Sequence, residues 1–164
     1  MRFTVEQRFG AAVEDVEAAF LDADLLARLA GLPSLGRPEL LDQHDDGHLV
    51  RQRVRYRFTG RLSPAAAAIV DPDRLTWVQE AVHDRRAHRT EISVRPDHYA
   101  DRLRCEGTIE LHPLAGGSLR VTEGDLDVRA PLMAARVERA IVAGLTDHAH
   151  AEVEIVERWL AQRT

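Results

Sequence analysis

His148 and Glu152 stand one helical turn apart inside an apolar stripe formed by Val137, Ile141, Leu145, Ile155 and Trp159. A carboxylate on such a stripe must be paired, solvated or in use, because burying a charge alone is costly. The plainer readings are that a water-filled part of a cavity interrupts the stripe, or that Glu152 simply bonds His148 as an i, i+4 pair. As a working pair it would orient a ligand, or pass protons as a general acid and base.

The other reactive side chains have little around them to activate them. Cys105 alternates with Leu103, Gly107 and Ile109, which places it on the buried face of a strand, where a thiol behaves as a small hydrophobe. No base flanks it, and a lone cysteine closes no internal disulfide. Ser34, Ser63, Ser93 and Ser118 lack the G-x-S-x-G context of a nucleophile elbow. Of the eight histidines, His44, His48, His98 and His112 fall in or beside turns, and none forms an H-x-x-x-H pair on a helix. His83 and His88 flank the Asp84-Arg85 turn, where both could approach a cavity mouth. A three-ligand site from His83, His88 and His148 is conceivable, yet no spacing demands it, so no metal and no cofactor are expected.

All 22 basic residues are arginine, and neither lysine nor asparagine occurs. Without lysine there is no Schiff-base chemistry and no Walker-type phosphate loop; without asparagine there is no N-glycosylation and no Cys/His/Asn triad. Arg51, Arg53, Arg55 and Arg57 alternate with Val54, Tyr56 and Phe58, which defines a strand wet on one face and buried on the other. Nucleic acid would suit the arginine face, but the net charge is −5 and the aromatics point away from the arginines. Glu80, Glu91, Glu106 and Glu110 on neighbouring strands could pair across the sheet. A solvated, salt-bridged face is expected, with no nucleic-acid partner.

The elements that must position these residues follow from periodicity. Residues 2–9 alternate as a first strand, and residues 11–30 turn helical, broken near Asp22 and Asp24 into two short helices. A hairpin over 39–43 and 49–58 turns at Asp45-Asp46-Gly47. Ser63-Pro64 predicts a short helix over Ala65–Val70. Strands follow at 75–83, 86–94 and 102–112. In the last strand, 118–128, Leu119 and Val121 share one face while Leu126 and Val128 share the other, so a bulge or bend is expected near Gly124. One long helix then runs from Pro131 to about Ala161. No repeat, linker or domain boundary interrupts the chain, and residues 1–164 read as one domain. The opening residues alternate at once, without an apolar signal-peptide core, and no run is long enough to cross a bilayer, so a cytoplasmic protein is expected.

Met1-Arg2-Phe3-Thr4-Val5-Glu6, Gly124-Asp125-Leu126-Asp127-Val128-Arg129-Ala130-Pro131, Arg136-Val137-Glu138-Arg139 and Glu157-Arg158-Trp159-Leu160, with this order of elements, resemble the START-related helix-grip superfamily (SRPBCC). That superfamily includes lipid-transfer domains, polyketide cyclases and birch-pollen-allergen-like proteins. The resemblance is strongest to a bacterial branch of unknown function, in which the last helix is commonly approached through a proline and a small, glycine-bearing turn. Here Leu132-Met133-Ala134-Ala135 stands in that place.

The resemblance implies an α+β helix-grip fold, a curved antiparallel sheet of about six or seven strands wrapped on the C-terminal helix, with a cavity between them. Its ligand-binding lining is expected from Val54, Tyr56 and Phe58, from Trp77, Ile92, Leu103 and Ile109, and from Ile141 and Leu145 on the helix. His88, His148 and Glu152 would supply polar anchors. On the strand near Trp77 the face is contested, since Val78 and Val82 alternate against it. The expected partner is a small apolar or amphipathic molecule bound without catalysis, by a monomer or homodimer. The alternatives are a cyclase- or dehydratase-type enzyme acting on a polyketide-like substrate, and a protein-interaction module whose arginine face meets an acidic partner.

Overall fold

Alternation in the first strand, β1 (Arg2–Phe9), buries Val5, Gln7 and Phe9 and turns Arg2, Thr4, Glu6 and Arg8 to solvent. The computed structural model describes residues 1–30, 32, 34–61, 67 and 70–163, so the short helix expected over Ala65–Val70 falls mostly outside the described residues. Two helices follow, α1 (Val13–Phe20) and α2 (Ala23–Arg28). Asp22 separates them, its carboxylate accepting from the Asp24 backbone N–H at 2.7 Å, the N-cap contact its residue type favours. Six strands then meander: β2 (Glu39–Asp45), β3 (Leu49–Arg57), β4 (Thr76–Asp84), β5 (Arg89–Pro96), β6 (Leu103–Leu114) and β7 (Gly117–Val128). A 3-10 turn, Pro72–Arg74, leads into β4. The long helix α3 (Ala134–Ala161) ends the fold.

The seven strands form one antiparallel sheet in the order β1-β7-β6-β5-β4-β3-β2, so the first strand closes against the last. Contacts of α3 with the sheet concentrate on β1 and β7. Its C-terminal part packs Val156 and Trp159 against Phe9, Val13, Val16 and Leu111, and its N-terminal part packs Val137 and Ile141 against Cys105, Leu126 and Val128. Hydrogen bonds from Gly10 N–H to Glu157 and from Arg28 to Gln162 fasten its far end to the turn after β1 and to α2. The space left beneath α3 therefore opens toward β3, β4 and β5. No helix among the described residues is long and apolar enough to cross a membrane.

Two expectations need correction. Pairing of β7 with both β6 and β1 runs unbroken through Gly124, so no bulge lies there. The inner face is Ser118, Arg120, Thr122, Gly124, Leu126 and Val128 throughout; what changes at Gly124 is its chemistry, from polar to apolar. Gly124 itself is required by packing, because a Cβ there would run into the Phe3 ring. Nor does Pro131 open the last helix, which starts three residues later.

Leu132 explains the late start: it sits at φ +63°, fully exposed, in the left-handed region. That conformation crowds a leucine Cβ and costs about 1–2 kcal/mol. Leu132→Gly relieves the strain without losing burial, and after the entropy that glycine adds to the unfolded chain a net stabilisation of about 0.5–1 kcal/mol is expected in urea unfolding. An unchanged or lower midpoint would show that the turn carries no strain.

The arginine face is salt-bridged, with different partners from those expected. Arg53 meets Asp42 through two nitrogens at 2.7 and 2.5 Å, Arg51 lies 3.9 Å from Asp46, and Arg55 lies 3.4 Å from Asp97. Glu80 and Glu106 are taken by Arg95 and Arg104 at 3.0 and 2.9 Å, and Glu110 by Arg89. On the adjacent strand Trp77 faces inward and Val82 outward.

Candidate ligand-binding cavity

Strands β3 to β7, together with β1, curl around one side of α3 and enclose a cavity of about 1610 Å³, larger than the usual range for small-molecule sites. Every expected lining residue except Val54 borders it: Tyr56, Phe58 and Trp77; Ile92, Leu103 and Ile109; Ile141, Leu145, His148, Glu152 and His88. Val54 is buried at 3% exposure yet stays out of the lining. Its short side chain lies between Gln52 and Tyr56 on its own strand and opposite Gln79, and these longer residues reach the cavity instead. The Tyr56 and Trp77 rings stack with centroids 5.9 Å apart and form an aromatic wall. Leu145 is open to the cavity space, which accounts for its 36% exposure on a helix face turned inward.

Glu152 sits in this wall with a partner that periodicity did not reveal. Arg120, on the inner face of β7, places Nη1 3.6 Å from Glu152 Oε2 and donates to Gln7 Oε1. Gln7 Nε2 donates to Glu152 Oε2 at 3.1 Å and to the Ala149 carbonyl at 2.6 Å, tying β1 to α3. The Phe20 ring covers the guanidinium at 4.1 Å. His148, by contrast, holds Nε2 3.9 Å from Glu152, and its Nδ1 has no hydrogen-bond partner among the described residues. The counter-charge of Glu152 is therefore Arg120, and His148 stands beside the pair. The signal for Arg120 was present in the sequence as the polar half of β7's inner face.

Burial sets the ionisation here. It pulls Arg120 below its ordinary value, against the attraction of Glu152, and raises the Tyr56 phenol, with Glu152 adding to the rise. Burial also pushes His148 below its ordinary 6.5, opposed by Glu152 and assisted by Arg120. The unfolded chain then takes up this proton before the folded one, so stability present above pH 6.5 falls as pH drops below it. His148→Gln should flatten that part of the profile when urea midpoints are compared between pH 7.5 and 5.5. Equal slopes for both proteins would exclude a depressed imidazole.

A second polar group lines the cavity from α1, β4 and the turn before β5. Glu17 of α1 is buried at 8% exposure, and its Oε1 lies 2.9 Å from His88 Nδ1 and 2.8 Å from His83 Nε2, the latter out of hydrogen-bond alignment. His83 Nδ1 bonds the Thr90 hydroxyl at 2.8 Å. Both histidines line the cavity, His83 buried and His88 with 34% of its side chain exposed, the latter on a left-handed backbone at φ +49°. Glu17 escaped sequence reading although it follows Val13 by one helical turn. His148 does not join His83 and His88 in a three-ligand set, and no group of His, Cys, Asp and Glu among the described residues is placed to hold a metal ion. Burial pushes the Cys105 thiol up to about 11, which keeps it protonated and unreactive near neutrality.

A curved antiparallel sheet gripping a long C-terminal helix over such a cavity is the helix-grip fold. The chain belongs to the family described as "Protein of unknown function (DUF2505)", whose model matches residues 4–160. Its structure is similar to TTHA0849 from Thermus thermophilus, with a TM-score of 0.72, 16% identity, and coverage of 100% of this chain and 99% of that one. It is similar also to the Zhui aromatase/cyclase from Streptomyces sp. R1128, at TM-score 0.70 and 15% identity over 99% of this chain and 94% of that one. Norcoclaurine synthase from Thalictrum flavum gives 0.64 and 15%, over 99% and 87%. At these identities the likeness is one of fold. No curated protein matches the sequence.

Proposed function

We propose that this protein binds a small amphipathic molecule without transforming it, the apolar body lying against Tyr56, Trp77, Ile92, Ile109 and Ile141 and one polar group meeting the Arg120–Glu152 pair. One observation carries the reading: a large apolar cavity keeps a charge-balanced polar patch whose neighbour, His148, retains a buried nitrogen without a partner among the described residues. A buried polar atom left unpaired costs free energy that a ligand hydroxyl or carbonyl would recover. Native mass spectrometry of protein purified from its own host tests this directly. A retained mass that denaturation releases is expected; repeated recovery of bare protein, together with no response of Trp77 fluorescence to a panel of fatty acids and aromatic polyketides, would sink it.

A second reading, a cyclase- or dehydratase-type enzyme, is favoured by the Glu17–His88 contact. A carboxylate that fixes one imidazole nitrogen can leave the other as a base toward the cavity. Two structural neighbours carry enzyme names, aromatase/cyclase and synthase. Turnover of a polyketide-like substrate that is lost in Glu17→Gln would establish this reading in place of simple binding.

A further inference from the structure

The cavity wall changes character along its length. Near the Arg120–Glu152 pair the lining residues Glu17, His83, Leu111 and Glu152 are buried. At the other end Arg61, Arg74, Arg102, Arg129 and Arg136 line the cavity and are exposed, which locates its mouth. The fold gathers them there. The Arg129 N–H donates to the Arg102 carbonyl at 2.8 Å, and the Tyr99 ring lies 5.7 Å from the Arg74 guanidinium and 5.9 Å from that of Arg102. Tyr99 holds this position at φ +61°, a costly backbone for a tyrosine. Asp101 is the one acidic residue among the described lining at this end. Arg129 pairs loosely with Asp127 at 3.8 Å, and among the described residues the other four arginines have no carboxylate within 4.0 Å.

Five arginines against one aspartate, in a chain of net charge −5, is a local arrangement and no reflection of overall basicity. Resting on the reading of the cavity as a ligand site, we infer that the mouth binds the anionic group of that ligand, which is an amphiphile bearing a carboxylate or phosphate. The interior offers an anion little, because Arg120 is already neutralised by Glu152 and a second negative charge there would be desolvated without compensation. At the mouth the anion stays partly solvated and meets planar guanidinium forks that fit carboxylate and phosphate alike. Sixteen residues of α3 separate Arg136 from Glu152, about 24 Å at 1.5 Å per residue, so an extended chain can hold its anion at the rim while its far end reaches the interior pair.

Competition against the neutral fluorophore N-phenyl-1-naphthylamine tests the inference. Dodecanoate and dodecyl phosphate should displace it at concentrations at least tenfold lower than dodecanol, and 0.5 M salt should shrink that preference. Inorganic phosphate alone should not compete, and the two anionic probes separate a carboxylate from a phosphate head. Arg102→Gln combined with Arg136→Gln should cut the anion-over-alcohol ratio at least fivefold, while Arg104→Gln, on the outer face of β6, should leave it intact. Equal displacement by dodecanol and the anions, or a ratio that survives the double substitution, overturns the anionic mouth and leaves the cavity reading standing. Failure of every amphiphile and of the fluorophore to bind overturns both.

Discussion

Glu152→Leu is expected to destabilise the protein by roughly 3 kcal/mol, the lower end of what breaking a buried ion pair costs. The reason is what it leaves behind. Arg120 keeps its charge at any ordinary pH, lies under Phe20, and would be left with the Gln7 side-chain oxygen as its acceptor once its carboxylate is gone. Gln7 would also lose one acceptor for its amide. Contact with the cavity solvates part of the stranded charge, which is why the lower figure applies. The double variant Arg120→Leu, Glu152→Leu should recover most of the loss, since replacing both charges with apolar groups removes the desolvation cost together with the attraction. His148→Leu alone should change little, because burial disfavours the charged imidazole and its Nε2 lies 3.9 Å from Glu152. Urea unfolding of the wild type, these three variants and the double variant His148→Leu, Glu152→Leu separates the cases. A large loss in His148→Leu, rescued by Glu152→Leu, would restore the histidine as the true counter-charge.

Gly144→Leu should raise stability and abolish binding together. Gly144 sits in the middle of α3, where glycine costs about 1 kcal/mol relative to a good helix former. It lines the cavity, and a Cβ built there meets nothing within 4 Å. A leucine would therefore gain helix propensity of about 0.5–1 kcal/mol while projecting into the space a ligand would occupy. Displacement titrations with N-phenyl-1-naphthylamine should show affinity at least tenfold weaker, beside a higher urea midpoint. Unaltered affinity would mean that the bound molecule lies elsewhere along the wall.

Much of the fold was legible because most strands and helices obey simple periods. Alternation marked β1 and β3, and Asp22 announced the break between the short helices. The site was harder, for a physical reason: a cavity wall is an inner face that need not be apolar. On β7 the outward Leu119 and Val121 imitated a buried face while Arg120 and Thr122 pointed inward, so a constant phase looked like a slip. On β4 the outward Val78 and Val82 competed with Trp77, although Gln79 and His83 also face the cavity. His148 and Glu152 stood out because polar residues interrupt a long apolar stripe visibly. Arg120 and Glu17 did not, since their partners lie far away in sequence, and only the folded chain brings them together.

The seating of α3 on β1 and β7 divides the molecule mechanically. Among the described residues, both clusters of the hydrophobic core draw their buried members from β1, β6, β7 and the helices, and none from β2, β3 or β4. Cohesion is thus concentrated in one half of the sheet, while the other half is held by backbone pairing, scattered contacts and surface charges. Opening free energies follow such a distribution. A rigid frame with a compliant leaf is the expected result, in which amides of β2 and β3 exchange with solvent well before those of β6 and β7. Any widening of the cavity is expected to fall on the leaf, leaving in place the frame that carries Glu152 and Arg120.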